Sequence, residues 1–184
     1  QQYEDVEVSD KVTVEFFQYT AEGKEDGTLQ YSSEIIAYDK DEDLALLELL
    51  SSARTKYIAK ILPKDFTSPR IFDNVYAVGC SLAHCPLPTY GQITSLTDTS
   101  DRKIFWMISA PIIFGDSGGA VFLERDGEYY WIGIPSRIAV TGGQIVPHMA
   151  YIIPLSRVSS WLNEQHLNFL IDSSKSPQEC FKER

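Results

Sequence analysis

Phe114-Gly115-Asp116-Ser117-Gly118-Gly119-Ala120-Val121 sets a serine between glycines, just ahead of a short apolar run. A nucleophilic serine must stand clear of its own backbone, with bare N–H groups beside it. Gly115 permits the tight turn that would aim the N–H groups of Gly115 and Ser117 at one point. A tetrahedral oxyanion would sit at that point, and fixed donors there lower an acyl-transfer barrier strongly. Gly118 and Gly119 let another backbone come close. A bare Ser-Gly-Gly reads equally well as a glycine-rich turn between two strands. The longer string, continued by Phe122-Leu123, favours the nucleophile.

The full string resembles the nucleophile signature of trypsin-like (chymotrypsin-fold) serine proteases. A serine hydroxyl needs a base to take its proton, and the base needs an acid to orient it. The resemblance implies the chain order His, Asp, Ser. Upstream, Asp39-Lys40-Asp41-Glu42-Asp43-Leu44-Ala45-Leu46-Leu47 puts Asp43 against an apolar strand, where its carboxylate would be desolvated and held against an imidazole. By itself this is an acidic turn before a strand. Paired with the serine string, it resembles the acid motif of the high-temperature-requirement type.

Further landmarks follow in that family's order. Val75-Tyr76-Ala77-Val78-Gly79 ends a strand, a loop with Pro86 comes next, and then Gly91-Gln92-Ile93-Thr94-Ser95. Trp131-Ile132-Gly133-Ile134 and Ala150-Tyr151-Ile152-Ile153-Pro154 come after the serine. The resemblance runs from about residue 10 to 162, with no PDZ-like domain after it in this sequence. It implies catalytic Ser117 and Asp43, with an oxyanion hole from the Gly115 and Ser117 N–H groups. It also implies a substrate strand at Gly133-Ile134-Pro135, where Pro135 lacks one donor, and a pocket lined by Pro111-Ile112-Ile113-Phe114. With no acid in that lining, Lys or Arg is not expected beside the cleaved bond.

One landmark is missing. His84, His148 and His166 all follow Asp43, whereas the base should precede it. Two expectations stand: the histidine segment lies before Gln1 and the first barrel is truncated at its N-terminus, or the chain is an inactive protease-fold binding or structural module.

Elsewhere the pattern is one of short strands. Alternation marks Lys11 to Phe17 and Tyr31 to Tyr38, while Leu44 to Leu50 is nearly all apolar and reads as buried on both faces. Asn74 to Val78, Gln92 to Leu96, Ile104 to Ser109, Ala120 to Leu123, Tyr130 to Ile134 and His148 to Ile153 complete the set. Leu155, Val158, Leu162 and Phe169 form a helical stripe that Ser156 could cap. Ser173 to Arg184 reads as a loose polar tail. The expected class is all-β: two antiparallel barrels with a C-terminal helix. Residues 1–55 would form the incomplete first barrel, 56–73 a linker, 74–154 the second barrel, and 155–184 the helix and tail.

Composition sets the bounds. With 43% hydrophobic residues among 184, a sizeable core is available. A net charge of −10 argues against nucleic acid and anionic membrane as partners; the resemblance implies a protein or peptide substrate. No apolar run is long enough to span a membrane, and no signal peptide is visible. Cys80 and Cys85 could pair and leave Cys180 over, or all three could be thiols; the compartment stays open, with a secreted or extracellular one favoured. Cys80, His84 and Cys85 supply three of the four ligands zinc wants, so neither a metal nor a cofactor is expected. Oligomeric state is not readable.

Overall fold

The computed structural model describes residues 11–51, 55, 57–63 and 66–182. The chain divides into two compact units, Gln1–Tyr57 and Ile58–Arg184.

The first unit is an antiparallel sheet of β1 (Lys11–Tyr19), β2 (Glu25–Asp39) and β3 (Leu44–Leu49), paired in sequence order. It is an open sheet among the described residues. Only Ser33 and Leu44 are buried there, and the Ser33 hydroxyl donates to the Val12 carbonyl at 2.7 Å. The expectation that Leu44 to Leu50 is buried on both faces fails. Leu47 is 38% and Leu50 49% exposed, because β3 pairs with β2 alone and a three-stranded sheet has no second layer of its own.

The second unit holds β4 (Lys60–Ile61), β5 (Asn74–Gly79), β6 (Leu87–Ser100), β7 (Lys103–Ile108), β8 (Ala120–Arg125), β9 (Glu128–Thr141) and β10 (Gln144–Pro154). Their order is β10-β7-β6-β5-β8-β9-β4, and β10 pairs with β9 as well. Strands β5 to β10 therefore close into an antiparallel barrel, which removes the open edges of a sheet. Register shifts in the β6–β7, β8–β9 and β9–β10 pairs bend those strands, as closure requires. β4 adds to β9 in parallel, Lys60 beside Tyr130.

Alternation fills the barrel. Val75 and Ala77 of β5 and Val121 and Leu123 of β8 point inward with Ile93, Ile108, Ile132 and Ile152. Each such side chain, fully buried, contributes roughly 1.5–3 kcal/mol. Positive φ angles at Asp126 and Gly127 make the β8–β9 turn, the geometry two-residue hairpins prefer.

Pro154 ends β10, and α1 (Leu155–Glu164) begins at once, without a side-chain cap. Ser156 therefore lies inside the helix and does not cap it. Val158, Trp161 and Leu162 are its buried residues, while Phe169 falls beyond its end in a 3-10 turn, Asn168–Leu170. The tail is not simply loose. A second helix, α2 (Pro177–Lys182), buries Cys180, whose thiol donates to Asn168 Oδ1 at 2.9 Å.

Candidate active site

Ser117 sits at the head of β8, on an exposed turn. Two glycines with positive φ flank its neighbourhood, Gly115 at +99° and Gly118 at +82°. At Gly115 a β-carbon would also lie 2.4 Å from the Cys80 carbonyl oxygen, so no side chain fits there.

Amide use along the turn is uneven. Asp116 N–H donates to Ile113 O, Gly118 N–H to Pro135 O and Gly119 N–H to Asp116 O, at 3.2, 2.9 and 3.0 Å. The N–H groups of Gly115 and Ser117 find no acceptor among the described residues. Between them, the Asp116 carboxylate is buried and fully engaged. Oδ1 accepts from the Ser81 hydroxyl at 2.7 Å, and Oδ2 from Ile113 N–H at 2.9 Å. A buried carboxylate needs such partners, since an unpaired one is costly.

The turn meets β9. The Ser117 hydroxyl donates to the Ser136 carbonyl at 3.4 Å, and none of His84, His148 and His166 bonds to it. Of the residues expected to form a substrate strand, Gly133 is paired on both edges, with Val121 and with Pro154. Ile134 pairs with Ile153 and Pro135 with Ile152, while the Pro135 carbonyl is taken by Gly118. The position of β9 that faces Ser117 is thus Ser136, which the sequence reading did not single out.

The expected pocket lining divides. Ile112 is 3% exposed and belongs to the barrel core, so its side chain is not available as a wall. Phe114 is 65% exposed, Ile113 half-buried and Pro111 exposed. Pro111 and Pro135 face a gap shared with Val78, Gly79 and Asp116 that is too narrow for a water molecule. A cavity of about 900 Å³ lies elsewhere, against Leu96, Trp106, Ile132 and Leu155, and touches none of these groups.

Asp43 belongs to the first unit. It is exposed, with φ at +59°, and closes the turn before β3, where Asp39 Oδ1 accepts from the N–H groups of Asp41 and Glu42, both at 2.9 Å. The thiols of Cys80, Cys85 and Cys180 are in no disulfide, and no group of His, Cys, Asp and Glu that could hold a metal ion occurs among the described residues. No helix among them is long and apolar enough to cross a membrane.

The sequence profile of the trypsin-like peptidase domain matches residues 4–134, well over half of the chain. The chain belongs to the trypsin-like peptidase family. Solved structures agree on the fold. The HtrA-type protease AlgW, solved with a decapeptide, superposes with a TM-score of 0.62 at 19% identity, over 84% of this chain and 45% of AlgW. An AlgW variant solved with a tripeptide gives 0.61 at 18%, over 83% of this chain and 48% of the other. The MamO protease domain from Magnetospirillum magneticum, in its apo form, gives 0.59 at 17%, over 83% and 75%. This trypsin-like domain therefore spans about half the length of the AlgW chains and has their chymotrypsin-like, mostly β architecture. No curated protein sequence matches it.

Two residues in contact with the Ser117 turn escaped the sequence reading. Ser81 reaches Asp116 from 35 positions away, a separation at which no local spacing rule applies. Ser136 follows from the register of β9, which shifts between Val121 and Phe122 of its partner. Pro135 beside it was the available signal, as a residue that cannot donate to a ladder.

Proposed function

We propose that this domain carries the nucleophile and the acid of a serine endopeptidase. Ser117 attacks the peptide carbonyl and forms an acyl-enzyme. The N–H groups of Gly115 and Ser117 hold the oxyanion, and Asp43 serves as the acid that orients the histidine base such a mechanism requires. One observation carries this reading. Of five consecutive amides, those of Asp116, Gly118 and Gly119 are bonded within the fold, while those of Gly115 and Ser117, on either side of the buried aspartate, are left for a ligand. Donors already fixed in place cost no reorganisation when charge develops. Freeing the Ser117 hydroxyl from Ser136 O needs only a rotation about χ1.

A peptide substrate adds to β9 by main-chain pairing. Because Gly133 is paired on both edges and the Pro135 carbonyl is engaged, pairing starts at Ser136. Around the turn, Pro111, Ile113 and Phe114 are apolar, and the one nearby carboxylate, Asp116, already has both oxygens bonded. A Lys or Arg side chain placed there would lose water and gain no partner. The favoured residue before the cleaved bond is small to medium and apolar.

A second reading, an inactive protease-fold module that binds peptides, is favoured by the bond from Ser117 to a carbonyl in place of an imidazole. A fluorophosphonate probe applied to the full-length protein separates the two. The endopeptidase reading expects covalent label on Ser117 and peptide hydrolysis that falls at least about 10⁴-fold in Ser117→Ala. Peptide binding with neither label nor hydrolysis establishes the second reading.

A further inference from the structure

The connection between β5 and β6 packs directly on the nucleophile turn, through contacts of several kinds. The Ser81 hydroxyl donates to Asp116 Oδ1 at 2.7 Å. Leu82 N–H donates to the Phe114 carbonyl at 2.8 Å. The Cys80 carbonyl oxygen lies where a β-carbon on Gly115 would be, 2.4 Å away. Gly79 is equally close, since a β-carbon there would fall 2.6 Å from Asp116 Oδ1.

The connection itself adopts an uncommon backbone. Leu82 has φ at +51° and Ala83 at +62°, the left-handed region that non-glycine residues avoid. Such angles persist where the surroundings impose them, and they cluster at functional sites. Here Ala83 N–H closes back on Cys80 O and His84 N–H on Ser81 O, both at 3.0 Å. That tight turn presents the Ser81 hydroxyl and the Leu82 amide to residues 114 and 116.

We propose that Ser81 is a positioning residue for the nucleophile turn, acting through Asp116. Its hydroxyl holds one carboxylate oxygen while Ile113 N–H holds the other, and Asp116 N–H bonds back to Ile113 O. Residues 113–116 are thereby locked as a closed loop. That loop is what turns the Asp116 amide inward and leaves the amides on either side of it unbonded. Without the Ser81 hydroxyl, Asp116 Oδ1 is a buried acceptor with no donor, and the carboxylate swings toward water, taking residues 114–117 with it. The inference deepens the endopeptidase reading and rests on it for its catalytic consequence, whereas its structural content stands apart from that reading.

The test compares the full chain with Ser81→Ala and with Ser81→Thr, which keeps the hydroxyl. Amide hydrogen exchange is read residue by residue. In Ser81→Ala, exchange at Asp116 and Gly119, whose amides are bonded within the turn, should speed at least tenfold, while Val75 and Ile93 in the barrel core stay unchanged. Ser81→Thr should restore the wild-type pattern. Unchanged exchange at Asp116 and Gly119 in Ser81→Ala overturns the proposal. Equal acceleration in the core also overturns it, by showing a general loss of stability. Peptide hydrolysis by the full-length protein adds a second readout, a lowered kcat at unchanged KM in Ser81→Ala with recovery in Ser81→Thr. A turn that loosens as expected in a protein showing no hydrolysis supports the positioning role and refutes the endopeptidase reading alone.

Discussion

Val75, Ile93, Ile108, Val121 and Ile152 of the second unit have no accessible surface, whereas Ile36, Leu47 and Leu50 of the first are 47%, 38% and 49% exposed. Both sets come from apolar strands. What separates them is closure. Six strands bent by register shifts enclose an interior, so every second residue loses its water. Three strands in sequence order enclose nothing. Apolar content thus marks a strand, while its burial depends on what the rest of the sheet does. The turn that carries Ser117 stands on the closed side of this contrast, anchored to β5, β8 and β9.

The largest effect expected from the contrast is on stability. Ile108→Ala should cost ~2–5 kcal/mol, as removal of a fully buried aliphatic side chain does. Leu47→Ala should stay within about 0.5 kcal/mol, as exposed substitutions do. Trp106, Trp131 and Trp161, the three tryptophans of the chain, all lie in the second unit, so their fluorescence during urea unfolding reports the barrel. A Leu47→Ala loss as large as that of Ile108→Ala would break the comparison, since the barrel would then depend on the open sheet.

Backbone approach gives the next effect. A β-carbon on Gly91 would lie 2.1 Å from Ala110 N and 2.6 Å from Ala110 Cα. Neither atom can move aside without shifting a strand, so Gly91→Ala should cost ~1–3 kcal/mol or more in the same urea transition. Gly23, in the β1–β2 turn of the first unit, has open space around it and φ at +76°. Gly23→Asn, a residue that tolerates that angle, should leave the transition in place. Equal losses at the two glycines would mean that the close approach of Ala110 is not what makes Gly91 necessary.

These contrasts show how much of the molecule was legible in its residues. The tight turn of the serine string was readable because the positive φ of Gly115 and Gly118 is a local property that glycine supplies. β5 and β8 were readable as strands because their apolar residues are short runs on a sheet that does close. The burial of Leu44 to Leu50 was misread because a nearly continuous apolar run was taken to imply a covering layer. Asp101 and Arg102 make the β6–β7 turn with φ at +53° and +63°, and with no glycine they gave no turn signal, so β6 runs longer than expected and β7 starts one residue earlier. Ser156 was misread as a cap because Pro154 lets the helix start directly from β10. Ser81, Ser136 and Cys180 owe their roles to partners distant in sequence or to register, which residue type alone does not encode.

The smallest effect concerns Tyr76 on β5. Its hydroxyl donates to Glu124 Oε2 on β8 at 3.2 Å, and its ring contacts those of Tyr90 and Tyr129. Burial, then the bond to Glu124 and that carboxylate's charge, push its phenol up to about 12. The sign follows from proton counting. Above about pH 10 an unfolded tyrosine gives up its proton while the folded one keeps it. The stability held by the neutral phenol is therefore complete below about pH 10 and is lost as pH rises through about 12. Glu124→Gln removes the charge but not the burial. The Tyr76 step in phenolate absorbance should then move down and remain above the ordinary tyrosine value, and the alkaline decline of the tryptophan-reported transition, which still starts where the unfolded tyrosine titrates, should become smaller and end at lower pH. An unmoved step would exclude Glu124 as a cause and leave burial in the closed unit as the whole of it. A step falling all the way to about 10 would mean that β5 is as open to water as β3, and the contrast between the two units would fail at this strand.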